Sequence, residues 1–391
     1  MNILKNFNEE QIKVLNIIKN ICNRNNIKAY LVGGAVRDSL LSKDIRDIDI
    51  CIEEEPMIII NLLKEVDKFE YYSNFHTANV VFKNKVSVDL IRCRKEEYKF
   101  NGDLPCVTPS NIYDDLYRRD FTVNALAYDL IEEKIIDFFN GLEDLKNKKI
   151  KKIHKNSYEE DCTRIFRAIK YSNRYSFKIE DIHEIENCIK KNILNTVSND
   201  RIIKEIYSLC QEENWRKNLI NLCEYNILKL NKDKLFINNI LSNYENIKIR
   251  FLNLFFSIDN IKHIDIFINN SILDKNMKNS LKHYNENKHS IIKLLSNTIN
   301  NYKIYQVLKN INYDELVLLS FNHYIKYKII NYYRNLHNVK LSVNGKDLIK
   351  IGIKPGKTIG SILENLLKVK LNTDLDIEKI ILKQYYRRDF K

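Results

Sequence analysis

The chain has 391 residues, of which 44% are hydrophobic and 29% charged; this excludes a disordered polypeptide and allows two or three domains. Lysine and arginine outnumber aspartate and glutamate by 64 to 51, and the net charge of +13 favours a polyanionic partner such as nucleic acid. No apolar run is long enough to cross a membrane, and the eight scattered cysteines contain no CxxC pair, so we expect reduced thiols in a cytoplasmic protein.

The first 145 residues predict a small mixed α/β domain. In chain order we expect a helix over 8–24, a strand over 28–32, a helix over 35–41, a strand over 47–52, a helix over 56–66, a hairpin of strands 79–82 and 85–91, and a strand over 134–138. The last strand is followed by an Asn140-Gly141 turn.

The remainder of the chain predicts helices. Neither glycine nor proline occurs from 142 to 344, and this composition favours consecutive helices joined by polar Asn, Asp and Ser turns. Glycines return from 345 onwards, where we expect a compact helical unit that ends in a basic segment, 383–391. The predicted fold class is therefore α+β, a mixed-sheet domain followed by all-α domains.

The segment YLVGGAVRDSLLSKDIRDIDICIE, residues 30–53, combines the parts of a phosphate site. Gly33 and Gly34 allow close approach of the backbone to a ligand at a helix N-terminus, and Arg37 supplies a guanidinium for phosphate oxygens. Asp47 and Asp49 lie two apart on a predicted strand and so point to one face. Paired carboxylates need a cation, and Mg²⁺ binds such groups together with substrate phosphates. These parts predict metal-assisted nucleotidyl transfer.

Each part alone has a plainer interpretation. A glycine pair is often a turn, an Asp-x-Asp is often a solvated strand end, and glycosyltransferases that use sugar nucleotides also contain Asp-x-Asp. Their concentration in one strand–turn–helix–strand unit favours nucleotidyl transfer. Asp89, on a predicted strand of the same sheet, is the best candidate for a third metal-binding carboxylate; alternatively it lies on an edge strand and faces water.

A further segment places polar side chains among apolar ones. In DDLYRRDFTVNALAYD, residues 114–129, Arg118, Arg119, Asp120 and Asn124 either pin a helix or bind a ligand. The sequence favours neither interpretation over the other.

A basic stripe follows in EEDCTRIFRAIKYSNRYSF, residues 159–177, where Arg164, Arg167 and Lys170 recur every third residue. Asp161 precedes Arg164 by three residues, so the two form either an ordinary intrahelical ion pair or a match to the edge of a nucleobase. The lysine run KNKKIKKIHK, residues 146–155, is either a solvated surface or a contact for a phosphate backbone.

These segments, in order, resemble the motifs of the class II tRNA nucleotidyltransferase/poly(A) polymerase family. The matching stretches are LVGGAVRDSLL with DIDI, DLYRRDFTVNALAYD, IIDFFNGLEDLKNKKI, EEDCTRIFRAIKYSNRYSF, VSNDRIIKEI and NGKDLIKIGIKPGKTIGSILENLL. The resemblance is dense over 28–205 and returns at 343–367. It implies a catalytic head over 1–145, a helical neck over 146–205, and a helical body over 206–342 and tail over 343–391 that bind tRNA.

The resemblance also implies residue roles. Asp47 and Asp49 match metal-binding carboxylates, which implies two Mg²⁺ ions. Ten positions have an implied nucleotide contact: Gly33, Gly34, Arg37, Arg119, Asp120, Asn124, Asp161, Arg164, Arg167 and Lys170. Asp161 and Arg164 match the pair that selects the incoming base, and Arg201 and Glu205 match a structural motif of the neck. Lys170 stands where arginine is usual, so it keeps the charge without the bidentate geometry.

The implied activity is addition of C and/or A to the 3′ end of tRNA from CTP and ATP, with release of pyrophosphate. A CC-adding enzyme, an A-adding enzyme and a poly(A) polymerase share these motifs and remain alternatives. An RNA-binding protein without catalytic activity is the alternative of another class, and the intact carboxylates and glycines argue against it. The sequence leaves the oligomeric state open.

Overall fold

The computed structural model describes residues 3–45, 47–373 and 378. The chain forms two compact units, Met1–Ile227 and Leu228–Lys391. The predicted basic segment 383–391 lies outside the described residues.

The first unit combines strands and helices. Its strands are β1 Ala29–Val32, β2 Asp49–Ile52, β3 Val66–Tyr72, β4 Thr77–Phe82, β5 Ser87–Arg92, β6 Arg94–Glu97, β7 Cys106–Pro109, β8 Leu126–Asp129, β9 Lys134–Asp137, β10 Lys149–Ile150 and β11 Lys178–Ile179. Its helices are α1 Glu9–Arg24, α2 Gly34–Leu40, α3 Pro56–Leu62, α4 Ile112–Tyr117, α5 Gly141–Lys146, α6 Ser157–Glu160, α7 Thr163–Tyr175, α8 Ile182–Lys190, α9 Asn199–Gln211 and α10 Trp215–Glu224.

Seven strands form one sheet in the order β3-β4-β5-β2-β1-β8-β9. β2 and β5 pair in parallel, with Asp49 opposite Asp89, while the other neighbouring strands of this sheet pair antiparallel. Successive side chains of a strand alternate between faces. Ile50 and Ile52 therefore pack into the larger core, whereas Asp49 and Cys51 face the opposite side. The sheet thus places the acidic motif on the face away from its main core.

Local signals explain why α1 and α2 form where they do. The Asn8 side chain accepts a hydrogen bond from the Gln11 amide at 2.9 Å, and the Gln11 side chain accepts from the Asn8 amide at 3.0 Å. This reciprocal cap satisfies amides at the start of α1. At α2 the chain turns out of β1 through Gly33, whose φ of 66° suits glycine.

The first unit differs from the sequence prediction in several details. The predicted helix over 56–66 ends at Leu62, and an unpredicted strand, β3, follows. β3 is an edge strand with mostly exposed residues, so it lacks an apolar alternation. The predicted strand over 47–52 begins only at Asp49. The short strands β10 and β11, which pair in parallel, interrupt the region predicted to be all helical.

The second unit is helical over its described residues. Its helices are α11 Ile247–Phe256, α12 Ile261–Ile268, α13 Lys275–Ser296, α14 Asn301–Leu308, α15 Tyr313–Ser320, α16 Lys326–Asn331, a π-helical segment Tyr332–Leu336, α17 Gly345–Lys350 and α18 Lys357–Asn372. Asparagine side chains cap five of these helices from the preceding turn, which confirms the predicted polar turns: Asn246, Asn260, Asn300, Asn312 and Asn344. Within the described part of the chain, no helix is both long and apolar enough to cross a membrane.

Candidate active site

A polar cavity of about 490 Å³ lies within the first unit, between α2, the start of β2, the segment that follows α4, and α7. All the predicted site residues line it except Asp89 and Lys170. The lining residues that the sequence predicted are Gly33, Gly34, Arg37, Asp47, Asp49, Arg119, Asp120, Asn124, Asp161, Arg164 and Arg167. One cavity therefore collects residues from three separate motifs.

Gly33 is required by both conformation and space. Its φ is +66°, and a Cβ atom at this position would lie 2.6 Å from Nη1 of Arg119. At Gly34, by contrast, a Cβ would lie 3.6 Å from Nη2 of Arg37, an ordinary contact. The first glycine therefore lets Arg119 approach the start of α2.

Asp47 and Asp49 lie at the start of β2 and face the cavity. No hydrogen bond or ion pair among the described residues engages either carboxylate. Burial raises the pKa of Asp49 to about 6; Arg119 opposes this shift, and Asp89 and Asp47 reinforce it. Carboxylate oxygens without a hydrogen-bond or ion-pair partner among the described residues suit a hard divalent cation, so Asp47 and Asp49 fit a metal ion such as Mg²⁺.

Asp89 neighbours Asp49 on the adjacent strand but does not line the cavity. Its Oδ1 accepts a hydrogen bond from Asn79 Nδ2 at 2.7 Å. Among the described residues, no group of three or more His, Cys, Asp or Glu side chains is placed to hold a metal ion. The third carboxylate thus stays a prediction, with Asn79 as its present partner.

The Arg37 guanidinium is buried and surrounded by partners. Its Nε and Nη2 donate to the Asp38 carboxylate at 2.9 and 3.0 Å, and its Nη1 donates to Asn124 Oδ1. The Tyr175 ring lies 4.6 Å from the guanidinium carbon, and the Tyr175 hydroxyl donates to Asp38 at 2.9 Å. Arg37 therefore links α2 to α7, and only part of its donor capacity faces the cavity.

The buried carboxylate of Asp115 anchors both arginines of the RRD sequence. Arg118 donates to its Oδ1 at 2.7 Å, and Arg119 Nη2 donates to its Oδ2 at 2.9 Å. Burial alone would raise the pKa of Asp115, but the two guanidinium groups hold it below its usual range. The buried Nε of Arg119 has no hydrogen-bond partner among the described residues. Such an orphan cationic donor in a cavity suits an anionic ligand.

Asp120 and Asn124 form a second buried cluster. Asp120 accepts from the Phe121 amide at 2.8 Å, from Asn124 Nδ2 at 2.9 Å and from Arg167 Nε at 2.6 Å. Burial opposes the charge on Asp120, yet Arg167 and these hydrogen bonds lower its pKa. The Asp120 carboxylate thus joins the segment before β8 to α7, which is the structural alternative that the sequence predicted. Asp120 and Asn124 also line the cavity, so a role in ligand binding stays open.

Of the two alternatives for Asp161 and Arg164, the intrahelical ion pair is absent, because each side chain has other partners. Asp161 precedes α7, where its Oδ1 accepts from the Thr163 amide at 3.0 Å and its Oδ2 forms an ion pair with Arg201 Nη2 at 2.8 Å. Arg164 instead donates to the Ser157 hydroxyl at 2.6 Å and to the Arg118 carbonyl at 2.9 Å. Both side chains nevertheless line the cavity.

Lys170 lies outside the cavity wall. Its Nζ donates to Ser208 Oγ on α9 at 3.2 Å. Burial lowers the pKa of Lys170, Arg167 and Arg174 act in the same direction, and Glu205 opposes them. This hydrogen bond from Lys170 thus joins α7 to α9. In the lysine run, Lys149 and Lys152 form ion pairs with Glu180 and Glu184; Lys152 is buried, whereas Lys149 stays partly exposed.

Several cavity residues were not singled out from the sequence. They are Asp38, Glu96, Tyr98, Thr163, Tyr171 and Arg174. Asp38 directly follows Arg37, and Tyr171 and Arg174 lie on the helix that carries Arg164 and Arg167, so proximity to the motifs was an available signal for these three. Glu96 lies on β6 and Tyr98 just after it, and no motif in the sequence marks them.

Comparison with known proteins agrees with this geometry. Residues 29–151 match the Poly A polymerase head domain. The A-adding tRNA nucleotidyltransferase of Aquifex aeolicus is 29% identical over 379 residues, covering 88% of this chain and 45% of the relative. The CCA-adding enzyme of Ligilactobacillus salivarius is 29% identical over 406 residues, covering 94% of this chain and 93% of the relative. The chain spans a little under half the length of the A-adding relatives that it matches.

A solved complex of a CCA-adding enzyme with CTP superimposes with a TM-score of 0.76 at 25% identity and covers 99% of this chain and 97% of that one. A complex with ATP gives 0.74 at 25% identity and covers 98% and 95%. Residues 29–151, which contribute the glycines of the cavity and the carboxylates of Asp47 and Asp49, are thus similar to a Poly A polymerase head domain. Over most of its length the chain is similar to A-adding and CCA-adding tRNA nucleotidyltransferases.

Proposed function

We propose that the protein adds C and/or A to the 3′ end of tRNA without a nucleic-acid template and releases pyrophosphate. The observation that carries the proposal is a cavity in which Asp47 and Asp49, neither of which has a partner among the described residues, face the arginines of three motifs. Relatives that match most of the chain are named CCA-adding and A-adding enzymes, and solved relatives bind CTP and ATP. These names support CTP, ATP and tRNA as the substrates.

In this proposal Asp47 and Asp49 hold two Mg²⁺ ions. When bound, these ions supply charge neutralisation for the triphosphate and a lower pKa for the attacking hydroxyl. Arg119, whose buried Nε has no partner among the described residues, binds phosphate or ribose oxygens. The buried Asp115 holds Arg119 in place from the protein side.

Base selection is assigned to Asp161 and Arg164. A carboxylate accepts from the amino group of cytosine or adenine, and a guanidinium donates to ring acceptors. Arg201 and Thr163 hold the carboxylate, and Ser157 with the Arg118 carbonyl holds the guanidinium. Fixed donors and acceptors discriminate between bases more sharply than mobile ones.

The division into head 1–145, neck 146–205, body 206–342 and tail 343–391 is part of the proposal. The boundary at 205 falls inside α9, so head and neck together correspond most nearly to the first compact unit. Body and tail are assigned to the tRNA backbone, which the net charge of +13 attracts. A cytoplasmic location follows from this substrate.

An A-adding enzyme is the second candidate. The relatives that favour it match 88% of this chain and are named A-adding tRNA nucleotidyltransferases. The test uses purified protein, Mg²⁺ and three tRNA transcripts that end before CCA, after C or after CC, with CTP and ATP supplied separately and together. Complete CCA on the shortest transcript establishes full activity, whereas extension of only the CC-ended transcript with ATP establishes the second candidate.

Asp47→Asn and Asp49→Asn test the carboxylates. We expect each to reduce transfer by roughly a thousandfold, because several kcal/mol of charge stabilisation is lost, while tRNA binding persists. Asp44→Asn, in the same segment, is the matched control and should retain activity, since Asp44 does not line the cavity. Near-normal turnover of either test variant would remove the assignment, and absence of extension by the wild type would leave only RNA binding.

A further inference from the structure

A cluster of aromatic side chains lies on the surface of the first unit outside the cavity wall. We define the aromatic face as Tyr113, Tyr117, Phe138, Phe139 and His154. The His154 ring stacks on Tyr117 at 5.0 Å with 23° between planes, and Tyr117 stacks on Tyr113 at 6.3 Å with 13°. Phe138 meets Tyr113 edge-on at 5.2 Å. Three nearly parallel rings therefore form a series across two segments of the chain.

The aromatic face is exposed to an unusual degree. Tyr113, Tyr117 and Phe138 expose 47%, 44% and 47% of their surface. Contiguous exposed aromatic surface marks a site of interaction more often than isolated exposed residues do. The face lies beside the cavity, because Tyr117 directly precedes the cavity residue Arg118.

Lysines flank the same rings. Lys151 and Lys155 lie three residues before and one residue after His154, both are exposed, and among the described residues no ion pair engages either one. Lys151 lies close enough to the Glu180 and Asp181 carboxylates to influence them, but it forms no ion pair with either among the described residues. Both lysine ammonium groups are thus available to a polyanion.

We propose that the aromatic face and these two lysines bind an unpaired RNA segment. Aromatic rings stack with the bases of single strands whatever their sequence, and lysines contact the phosphates between them. Charge complementarity favours RNA over an apolar protein partner, because a partner that covered the rings would also cover two exposed lysines that no ion pair among the described residues engages. The site lies outside the cavity, so it does not depend on transfer activity.

The test measures binding without nucleotides or Mg²⁺. A fluorescent oligouridylate of twelve nucleotides with a 3′-deoxy end is titrated with the full-length protein, and anisotropy is recorded at several salt concentrations. The double variant Tyr113→Leu/Phe138→Leu keeps apolar bulk but removes two rings. We expect it to bind about tenfold more weakly than the wild type. Phe69→Leu, which removes an exposed ring on β3, is the matched control and should bind as the wild type does.

Lys151→Gln/Lys155→Gln is the second variant, since it changes only exposed side chains. Loss of two phosphate contacts should reduce the slope of log affinity against log salt by about 1.4. Lys5→Gln/Lys64→Gln, two exposed lysines elsewhere in the head, should leave the slope unchanged.

Failure of the wild type to bind, or wild-type binding by both test variants, would overturn the proposal. Sedimentation of the same proteins identifies the competing occupant. If the wild type self-associates, and the ring variant is monomeric with unchanged RNA affinity, the face belongs to a second copy of the chain and the RNA proposal is wrong.

Discussion

Arg201 on α9 binds the Asp161 carboxylate at 2.8 Å and, with its other terminal nitrogen, donates to the Gly102 carbonyl at 3.0 Å. One guanidinium therefore fixes both the proposed base-selecting carboxylate and the loop between β6 and β7. The Gly102 amide also donates to the carbonyl of Glu160, the residue before Asp161, at 2.9 Å, so the same loop contacts the backbone next to the carboxylate. The carboxylate that the sequence paired with Arg164 is instead positioned from a helix forty residues away.

We predict that Arg201→Ala weakens nucleotide discrimination. Asp161 keeps its bonds from Thr163 but loses the partner of Oδ2, so its orientation is no longer fixed. The expected result is a fall of about tenfold in the preference for CTP over UTP, measured as the ratio of kcat/KM values, because roughly 1 to 2 kcal/mol of discrimination depends on a fixed hydrogen-bonding group. Lys204→Ala, exposed on the same helix, is the control. An unchanged ratio in Arg201→Ala would remove Arg201 from base selection.

The two glycines of the GG pair are predicted to respond differently to alanine. Gly33→Ala combines a φ of +66° with a Cβ placed 2.6 Å from Arg119, so we expect a loss of at least about 1 kcal/mol of stability together with displacement of Arg119. Gly34→Ala meets only an ordinary contact and should retain the melting temperature. Thermal melts of both variants check this. Equal melting temperatures would contradict the argument from backbone strain.

Much of the fold was predictable because its signals are local. The cap at Asn8, the Gly33 turn and the hairpin of β4 and β5 each depend on residues close in sequence. The edge strand β3 was missed because its side chains are mostly exposed and show no alternation. β10 and β11 are two residues each, too short for any periodic pattern.

The sequence predicted most of the residues that line the candidate site, but it predicted few of the hydrogen bonds and ion pairs that these residues form. Gly33, Asp49 and Arg119 belong to recognisable motifs, and the cavity contains them. Partner choice depends on tertiary contacts: Asp38 meets Tyr175 across 137 positions of the chain. Lys170 shares the periodicity of Arg164 and Arg167 yet donates to α9, because helical spacing alone does not say what packs against a stripe.

Asp115 is predicted to dominate the stability of the arginine cluster. Asp115→Asn leaves Arg119 without its buried counter-charge and Arg118 with Glu96 alone, and we expect a loss of about 3 to 5 kcal/mol in urea unfolding at pH 7.5. Asp114→Asn, next to it and partly exposed, should cost about 1 kcal/mol or less.

The pH dependence of Asp115 follows from its lowered pKa. Its stabilising contribution is present above the ordinary value of 3.8 and is lost as the pH falls through the lower folded-state pKa. The difference between the wild type and Asp115→Asn should therefore be constant from pH 5 to 8 and shrink only in strong acid. A difference that already shrinks at pH 6 would mean that another group is responsible.

Asp49 is predicted to behave in the opposite sense. Burial and the neighbouring carboxylates raise its folded-state pKa to about 6, so its ionised form destabilises the metal-free protein; this penalty is absent below the ordinary value of 3.8 and grows as the pH rises towards 6. In EDTA at pH 7.5, Asp49→Asn should increase stability by up to about 3 kcal/mol, since each pKa unit corresponds to about 1.4 kcal/mol, and at pH 4 the gain should vanish.

Mg²⁺ should reverse this order. A cation between Asp47 and Asp49 offsets the repulsion that the metal-free protein carries, so the melting temperature of the wild type should rise with Mg²⁺ concentration while that of Asp49→Asn stays nearly constant. Asp44→Asn, whose carboxylate lies outside the cavity, should respond to Mg²⁺ as the wild type does. If Asp49→Asn is less stable than the wild type in EDTA, the Asp49 carboxylate stabilises the metal-free fold, and its assignment as a metal ligand is wrong.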